Sequence, residues 1–369
     1  MGRALAAVAA ALVVAAPAAA GPPQVRAKAY LVENGATGEV LAGSRANVRV
    51  PIASITKLMT VLVALEHAKL DDVVVAPPSA AAVGESTIGL RAGERISVHD
   101  LVEAALVQSA NDAAWALAAY VGKGDVNTFV RMMNAKARAI GLRETHFIRP
   151  DGLDVPGHVS SARDVTLLAR AAMRNPTIRS IVDDRNATIS GGRVLHTWND
   201  LLGTFPGMIG VKTGHTAAAG WSQVAAVRGN GFILYATILG SPTRSQRNAD
   251  LATLLRWGLS RYVVAPVVDS TREYARAEVG FGKKPVALVA PRSVVRSVRV
   301  GRSLRERVVA STAVELPLKK GQRLGEVRVY DGARLVATSP LVASRAVAKP
   351  GVGDRASWYA GQALSSIWP

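Results

Sequence analysis

From Ser54 to Leu70 the chain is apolar on almost every side of a helix, with Leu58, Val61, Leu62, Val63, Ala64 and Leu65 spread around it. A helix of that kind belongs inside a protein. Upstream, residues 28–33 (KAYLVE) and 39–42 (EVLA) flank NGATG, a strand–turn–strand pattern. Residues 73–96 keep no period. Ser97, with Asp100 three residues on, predicts a capped helix running to about Gln108. The pattern breaks at SAN and resumes as helices over Asp112–Val121, about 126–140 and 161–174, the last opened by Ser161 with Asp164 three on. Strand patterns return at 210–214, 221–228 and 231–239, the last two joined through Gly229-Asn230 as a hairpin, and a helix over 245–262 follows. Strands at both ends and helices between them predict an α+β fold: one antiparallel sheet with a helical insertion against it.

From residue 264 the pattern changes. Short Val-rich runs (VALVA, SVVRSVRV, RVVAS, EVRVY, RLVATS) alternate with turns such as KKGQ and DGA, which predicts a small all-β domain over 264–346. The arginines of 292–307 read there as a solvated strand face. Residues 347–369 form a linker and tail. In SWYAGQALSSIWP, Tyr359, Ala360, Ala363, Leu364, Ile367 and Trp368 share one helical side, Trp358 falls off it, and Gln362, Ser365 and Ser366 lie opposite. That face suits either a membrane interface or the protein's own surface.

The first residues, MGRALAAVAAALVVAAPAAAG, have Arg3, an apolar run over 4–16 and Ala18-Ala19-Ala20 as an A-x-A cleavage site. Residues 1–20 therefore read as a signal peptide, and the protein as exported, periplasmic or otherwise extracytoplasmic, with a catalytic domain over 21–263. The sequence has no cysteine, which excludes disulfides, a cysteine nucleophile and thiolate metal sites. Its six histidines show no H-E-x-x-H spacing, so neither a metal nor another cofactor is expected. The formal charge of +18 favours anionic cell-envelope surfaces, and for an exported chain without a binding motif not nucleic acid. High arginine and alanine usage could equally reflect genome composition.

Lys57 is the anomaly. It sits in the apolar helix, where a charged lysine costs several kcal/mol unless paired or neutralised. Ser54 lies one turn before it, on the same face. A serine beside a desolvated lysine is a way to make a hydroxyl nucleophilic. An N-cap serine and a snorkelling lysine would give the same letters. Ser54 is the only serine with lysine three residues on, and Ser109, with Ala110 and Asn111 in SAN, the only one with asparagine two on. Lys212-Thr213-Gly214 occurs once, on a predicted strand where Gly214 would let a ligand backbone come close. The ordered set is more telling than any member.

S-x-x-K, S-x-N and K-T-G together resemble the penicilloyl-serine transferases, penicillin-binding proteins and serine β-lactamases, and most nearly the low-molecular-mass D-alanyl-D-alanine carboxypeptidases. The stretches at 145–170, 198–221, 254–258 and 316–327 look like that family as well. The resemblance implies a β-lactamase/transpeptidase-like catalytic domain that removes the last D-alanine of peptidoglycan stem pentapeptides and is inhibited covalently by β-lactam antibiotics. Ser54 would be the nucleophile, Lys57 its base, lowered in pKa by burial and by nearby Lys212. Ser109 would relay a proton to the leaving amine, and Asn111 would hold the substrate amide and Lys57. Lys212, Thr213 and Arg247 would bind the terminal carboxylate. The backbone N–H groups of Ser54 and His215 would form the oxyanion hole. The chain departs from the family pattern at Ile209, where an acidic residue is usual, and at Trp221 and Ser222.

The same chemistry would serve an endopeptidase that cuts cross-links. A class A β-lactamase would need a deacylating glutamate; Glu144 stands after Ser109, but in GLRETHF, a carboxypeptidase-like setting. His158, Asp154 and Ser160 could imitate a Ser-His-Asp set, yet without a G-x-S-x-G elbow they read as helix-capping residues. A non-catalytic wall-binding protein is the reading from another class, and three intact motifs argue against it.

Overall fold

The computed structural model describes the backbone of residues 5–13, 21–229 and 231–367, and the side chains of 21–229 and 231–361. The chain divides into two compact units, Gly21–Ser260 and Arg261–Pro369, the latter with Met1–Ala20.

In the first unit a five-stranded antiparallel sheet runs in the order Val40–Ser44, Ala29–Asn34, Ile233–Ser241, Gly220–Arg228, Met208–Thr216. The two N-terminal strands thus meet the three late ones, with Leu31 opposite Thr237. The strand bearing Lys212, Thr213 and Gly214 is an edge strand, with Thr213 opposite Gln223 and His215 opposite Trp221. Helices Ala162–Ala172 and Arg244–Ser260 pack on the sheet. The first of them is bonded there through Thr166 Oγ1 and Thr237 Oγ1, 2.7 Å apart.

The lysine-bearing helix is shorter than its hydrophobic pattern. A 3₁₀ turn, Ala53–Thr56, leads into the α-helix Lys57–His67, which ends where Ala68 turns extended. Leu58, Met59, Val61 and Leu62 join one core with Leu101, Leu117, Phe129, Met133 and Phe147. The Ser97 cap is present, receiving Asp100 N at 3.0 Å, but the α-helix it opens stops at Glu103 and continues as a π-helical turn, Ala104–Gln108. Ser161 caps the next predicted helix through Asp164 N, 3.1 Å. Residues 73–96 are less irregular than expected: Val73–Val75 pairs with Arg95–Ser97, and Pro78–Ala81 is a short helix. The helix Pro176–Ile181 and the hairpin Asn186–Ile189/Arg193–His196 had no sequence signal long enough to read. Asn230, in the expected Gly-Asn turn, lies outside the described residues.

The second unit holds a six-stranded sheet in the order Leu5–Val13, Ser303–Ser311, Arg323–Asp331, Arg334–Ala343, Val286–Val289, Glu273–Ala277, and a pair of strands Tyr262–Val268 and Val294–Arg299. Along Ser303–Ser311 burial alternates, with Leu304, Glu306 and Val308 inward and Arg305 and Arg307 exposed, so these arginines do form a solvated strand face. Inward Glu306 is held by Arg272, 2.9 Å. Within the expected leader, the backbone of Leu5–Val13 lies antiparallel beside Ser303–Ser311; residues 1–4 and 14–20 lie outside the described residues.

The tail helix is Val352–Ile367. Trp358 and Tyr359 both meet Phe281, at ring-centroid distances of 5.2 and 6.2 Å, so the predicted on-face and off-face aromatics share one partner. The side chains of Ala363, Leu364 and Ile367, and Trp368 altogether, lie outside the described residues. Among the described residues no helix is long and apolar enough to cross a membrane.

Candidate active site

The turn before Lys57 holds its shape by close backbone contacts. Ala53 has φ +48°, a conformation that L side chains seldom adopt. A Cβ on Gly152 would lie 2.0 Å from the Ala53 carbonyl oxygen, and one on Gly214 would lie 2.6 Å from that of Ile52. Gly214 therefore admits the protein's own nucleophile turn against the edge strand, where the sequence suggested room for a ligand backbone. Both contacts fix Ser54 beside the strand.

Lys57 is fully buried, and its Nζ has three partners: Ser54 Oγ at 2.7 Å, Asn111 Oδ1 at 2.7 Å and the Asp151 carbonyl oxygen at 2.9 Å. Asn111 Nδ2 donates to Gly84 O at 3.0 Å, which orients its amide with oxygen toward the lysine. Burial lowers the Lys57 pKa to about 7 against the pull of Asp151, Asp112 and Glu85, with Arg149 adding to the fall. The neutral amine has two N–H groups and one lone pair. Asn111 Oδ1 and Asp151 O are acceptors only, so they take the two N–H groups and the lone pair faces the Ser54 hydroxyl. This is the geometry of a base loaded against its nucleophile.

Across the cleft Lys212 Nζ donates to Ser109 Oγ at 2.8 Å. Ser109 closes the π-helical turn in a left-handed conformation, φ +67°, which swings its side chain off the helix. Its hydroxyl accepts from the lysine and so keeps its own hydrogen free to donate. Lys212 is itself pushed well below the ordinary lysine range, first by burial, then by Lys57 and Arg247. Burial is the main cause of the Lys57 shift, as the sequence suggested, and the repulsion between the two lysines is expressed at Lys212.

Ser54, Ser109, Thr213, Gly214, His215 and Arg247 line one cleft of about 330 Å³, together with Ser86, Trp198 and Trp221. Lys57, Asn111 and Lys212 stand behind this lining, so all nine residues expected from the sequence converge. Arg247 is buried, and burial lowers its pKa to about 10, which leaves it charged near neutrality. Its Nη2 reaches Asp200 Oδ2 at 3.2 Å and Asn248 Oδ1 at 2.7 Å. The His215 and Trp221 rings stack at 3.9 Å, and Arg247 lies 5.8 Å from the Trp221 ring.

Three further residues at the site were not singled out by the sequence, although Asp151 and Trp198 lie in the family-like stretches. Asp151 offers its carbonyl to Lys57, while its carboxylate binds Arg149 Nη2 and Trp115 Nε1, each at 2.7 Å. Burial opposes that charge, but Arg149 and Lys57 hold the carboxyl below its usual range. Asp112 accepts from Ile88 N at 3.1 Å and Leu90 N at 3.0 Å, clamping the loop that carries Ser86. Trp198 walls one side of the cleft.

The competing constellations dissolve. His158 Nδ1 accepts from Ile148 N at 3.1 Å, so its Nε2 donates to Thr56 Oγ1 at 2.8 Å; burial lowers its pKa to about 4. Asp154 accepts from Thr216 Oγ1, and Ser160 bonds Thr145 Oγ1, so neither forms a triad with His158. The helix cap there is Ser161 rather than these three. Glu144 pairs with Arg49 at 2.8 Å and does not line the cleft. Ile209, the departure from an acidic residue, is buried in the main core with Ile181 and Val182.

Comparison with known proteins agrees with this geometry. A family model described as D-alanyl-D-alanine carboxypeptidase matches residues 16–243, and one described as penicillin-binding protein 5, C-terminal domain, matches residues 266–349. D-alanyl-D-alanine carboxypeptidase DacD of Salmonella typhimurium is 32% identical over 360 residues, covering 92% of this chain and 90% of that protein. DacA of Escherichia coli is 32% identical over 343 residues, covering 87% and 84%. The solved structure of penicillin binding protein 5 from Haemophilus influenzae, 28% identical, superposes with a TM-score of 0.66 over 89% of this chain and 100% of its own. The chain belongs to the D-alanyl-D-alanine carboxypeptidase family of penicillin-binding proteins.

Proposed function

We propose that the protein is a serine D-Ala-D-Ala carboxypeptidase that removes the terminal D-alanine from peptidoglycan stem pentapeptides. The observation that carries this reading is the buried amine of Lys57, its lone pair set against Ser54 Oγ by two acceptor oxygens. Ser54 Oγ attacks the carbonyl of the penultimate D-alanine and passes its proton to Lys57. The backbone N–H groups of Ser54 and His215 receive the developing oxyanion, a term that typically dominates such reactions. As the C–N bond breaks, Ser109 gives its hydrogen to the leaving amine and is recharged with the proton that Lys57 took from Ser54, so that Lys57 is neutral again. Water then attacks the ester carbonyl, losing a proton to Lys57, which returns it to Ser54 Oγ. Lys212, Thr213 and Arg247 receive the substrate carboxylate, and Asn111 its amide. β-Lactams enter the same path and stop at the acyl-enzyme.

Intact-mass measurement on the purified protein tests the reading. Benzylpenicillin should add one penicilloyl group, mapped by digestion to Ser54 and absent from Ser54→Ala, and a pentapeptide should release D-alanine. An adduct on another serine overturns the assignment. Faster cleavage of a cross-linked dimer than of pentapeptide replaces carboxypeptidase by endopeptidase.

The apolar leader supports export with residues 1–20 removed, leaving a peptidase domain over 21–263, an all-β domain over 264–346 and a tail over 347–369. Sequencing the N-terminus of the exported protein should give a start near Gly21. Val352 and Tyr359 are 86% and 60% exposed on the tail helix, which supports peripheral membrane contact. Sedimentation with anionic vesicles, with and without residues 347–369, decides it.

A further inference from the structure

One wall of the cleft is built but unused by the chemistry above. Trp198 lines it and is 44% exposed, yet the ring is fixed from two sides. Its indole N–H donates to the Gln108 carbonyl at 3.0 Å, and Gln108 immediately precedes Ser109, the partner of Lys212. The Arg244 guanidinium stands 5.2 Å from the ring centroid. Arg244 Nε is bonded to Asp200 Oδ2 at 2.8 Å, and the same oxygen meets Arg247 Nη2. The tryptophan is thus tied to both sides of the carboxylate-binding cluster, to the Ser109–Lys212 pair by one edge and to Arg247 through Arg244 and Asp200. A large aromatic held this way contributes wall area at little further entropic cost when a ligand meets it.

We propose that Trp198 is a specificity-determining residue that closes the cleft behind the carboxylate site, so that a single small residue is accommodated beyond the scissile bond. This rests on the function proposed above, in which Lys212, Thr213 and Arg247 receive the substrate carboxylate. Each further residue of an extended peptide needs about 3.3 Å of additional room. The ties to Gln108 O and, through Arg244 and Asp200, to Arg247 set the ring beside the groups that take the carboxylate. A free stem ending in D-alanine fits in front of the ring, whereas a chain that continues, or a residue linked to a second stem, runs into it. Charge selects the carboxylate; Trp198 selects where the peptide must stop.

The test compares the full-length protein with Trp198→Ala and Trp198→Phe on two substrates: a pentapeptide ending in D-Ala-D-Ala, and the same peptide extended by one glycine. The readout is the ratio of the two kcat/KM values, which a general loss of structure does not move. Trp198→Ala should raise the extended-to-pentapeptide ratio about tenfold or more, the scale on which hydrophobic pocket volume discriminates substrates. Trp198→Phe should leave the ratio close to that of the unaltered protein, because a ring remains as the wall. An unchanged ratio in Trp198→Ala that still reacts with penicillin overturns the proposal. If Trp198→Ala no longer reacts with penicillin, Trp198→Leu is read by the same criterion. Absence of D-alanine release from pentapeptide by the unaltered protein would sink the carboxypeptidase reading itself, a separate outcome.

Discussion

A Cβ placed on Gly214 would lie 2.6 Å from the carbonyl oxygen of Ile52, closer than real Cβ contacts come. The glycine of the K-T-G strand and the turn that presents Ser54 are therefore one fitted joint. Gly214→Ala should push the turn from the strand and slow acylation by a fluorescent penicillin about a hundredfold, the cost of an ångström of misplacement. The circular dichroism spectrum should stay native. Acylation at the unaltered rate would show that the joint has slack.

The pH dependence of acylation follows from Lys57. Its folded pKa is lowered from 10.5 to about 7, so the neutral, accepting form is scarce below pH 7 and dominant above it. The acylation rate should rise about tenfold per pH unit up to pH 6 and level off by about pH 8. Lys57→Arg should be inert at every pH tested, because a guanidinium stays protonated. A flat profile between pH 5 and 8, or an active Lys57→Arg, removes Lys57 as the base.

Arg247 is buried yet charged at the cleft wall, beside Asp200, and in the proposed function it receives the substrate carboxylate. A charge-assisted contact there is worth roughly 1.5–3 kcal/mol, or about tenfold to a hundredfold in rate if realised in the transition state. Arg247→Ala should therefore narrow the gap between free-acid and C-terminally amidated pentapeptide, chiefly by slowing the free acid. Steady-state kinetics on both substrates measures it; an undiminished gap assigns the recognition to Lys212 and Thr213 alone.

Asp112 holds two backbone N–H groups of the loop over the SAN turn. Asp112→Ala strands these donors and should cost about 1–3 kcal/mol of stability. Acylation should slow as well, since the same loop holds Asn111 through Gly84 O and Ser86 O. Chemical denaturation and penicillin labelling report the two effects. No loss of either would make the clamp incidental.

Much of the site was legible because its members act through side chains at short, distinctive spacings: Ser54 with Lys57, Ser109 with Asn111, Lys212 with Thr213. What stayed hidden acts through the main chain or through distant partners. Asp151 contributes a carbonyl oxygen, which any residue could supply. Gly152 and Gly214 are required by backbone proximity that appears only once the strand and turn are packed. The SAN break showed where a helix ends, but not that it ends in a π-helical turn with Ser109 left-handed. Likewise, burial of Lys57 was legible in its apolar helix, but the opposing pull of Asp151, Asp112 and Glu85 was not, because those carboxylates come near it only in the fold. The strands Val73–Val75 and Arg95–Ser97 are simply too short to show an alternation.

The sheet of the first unit joins Ala29–Asn34 to Ile233–Ser241, strands roughly 200 residues apart along the chain. Such non-local pairing forms late, because the loop must be closed before the contacts reward it. An emerging polypeptide thus holds Ser54 and Lys57 long before the strand bearing Lys212 can reach them. During synthesis the nucleophile is present without its opposite wall, and fragments ending before that strand should ignore penicillin. Reactivity arrives with topological completion, so a labelled molecule reports that the whole peptidase unit has closed.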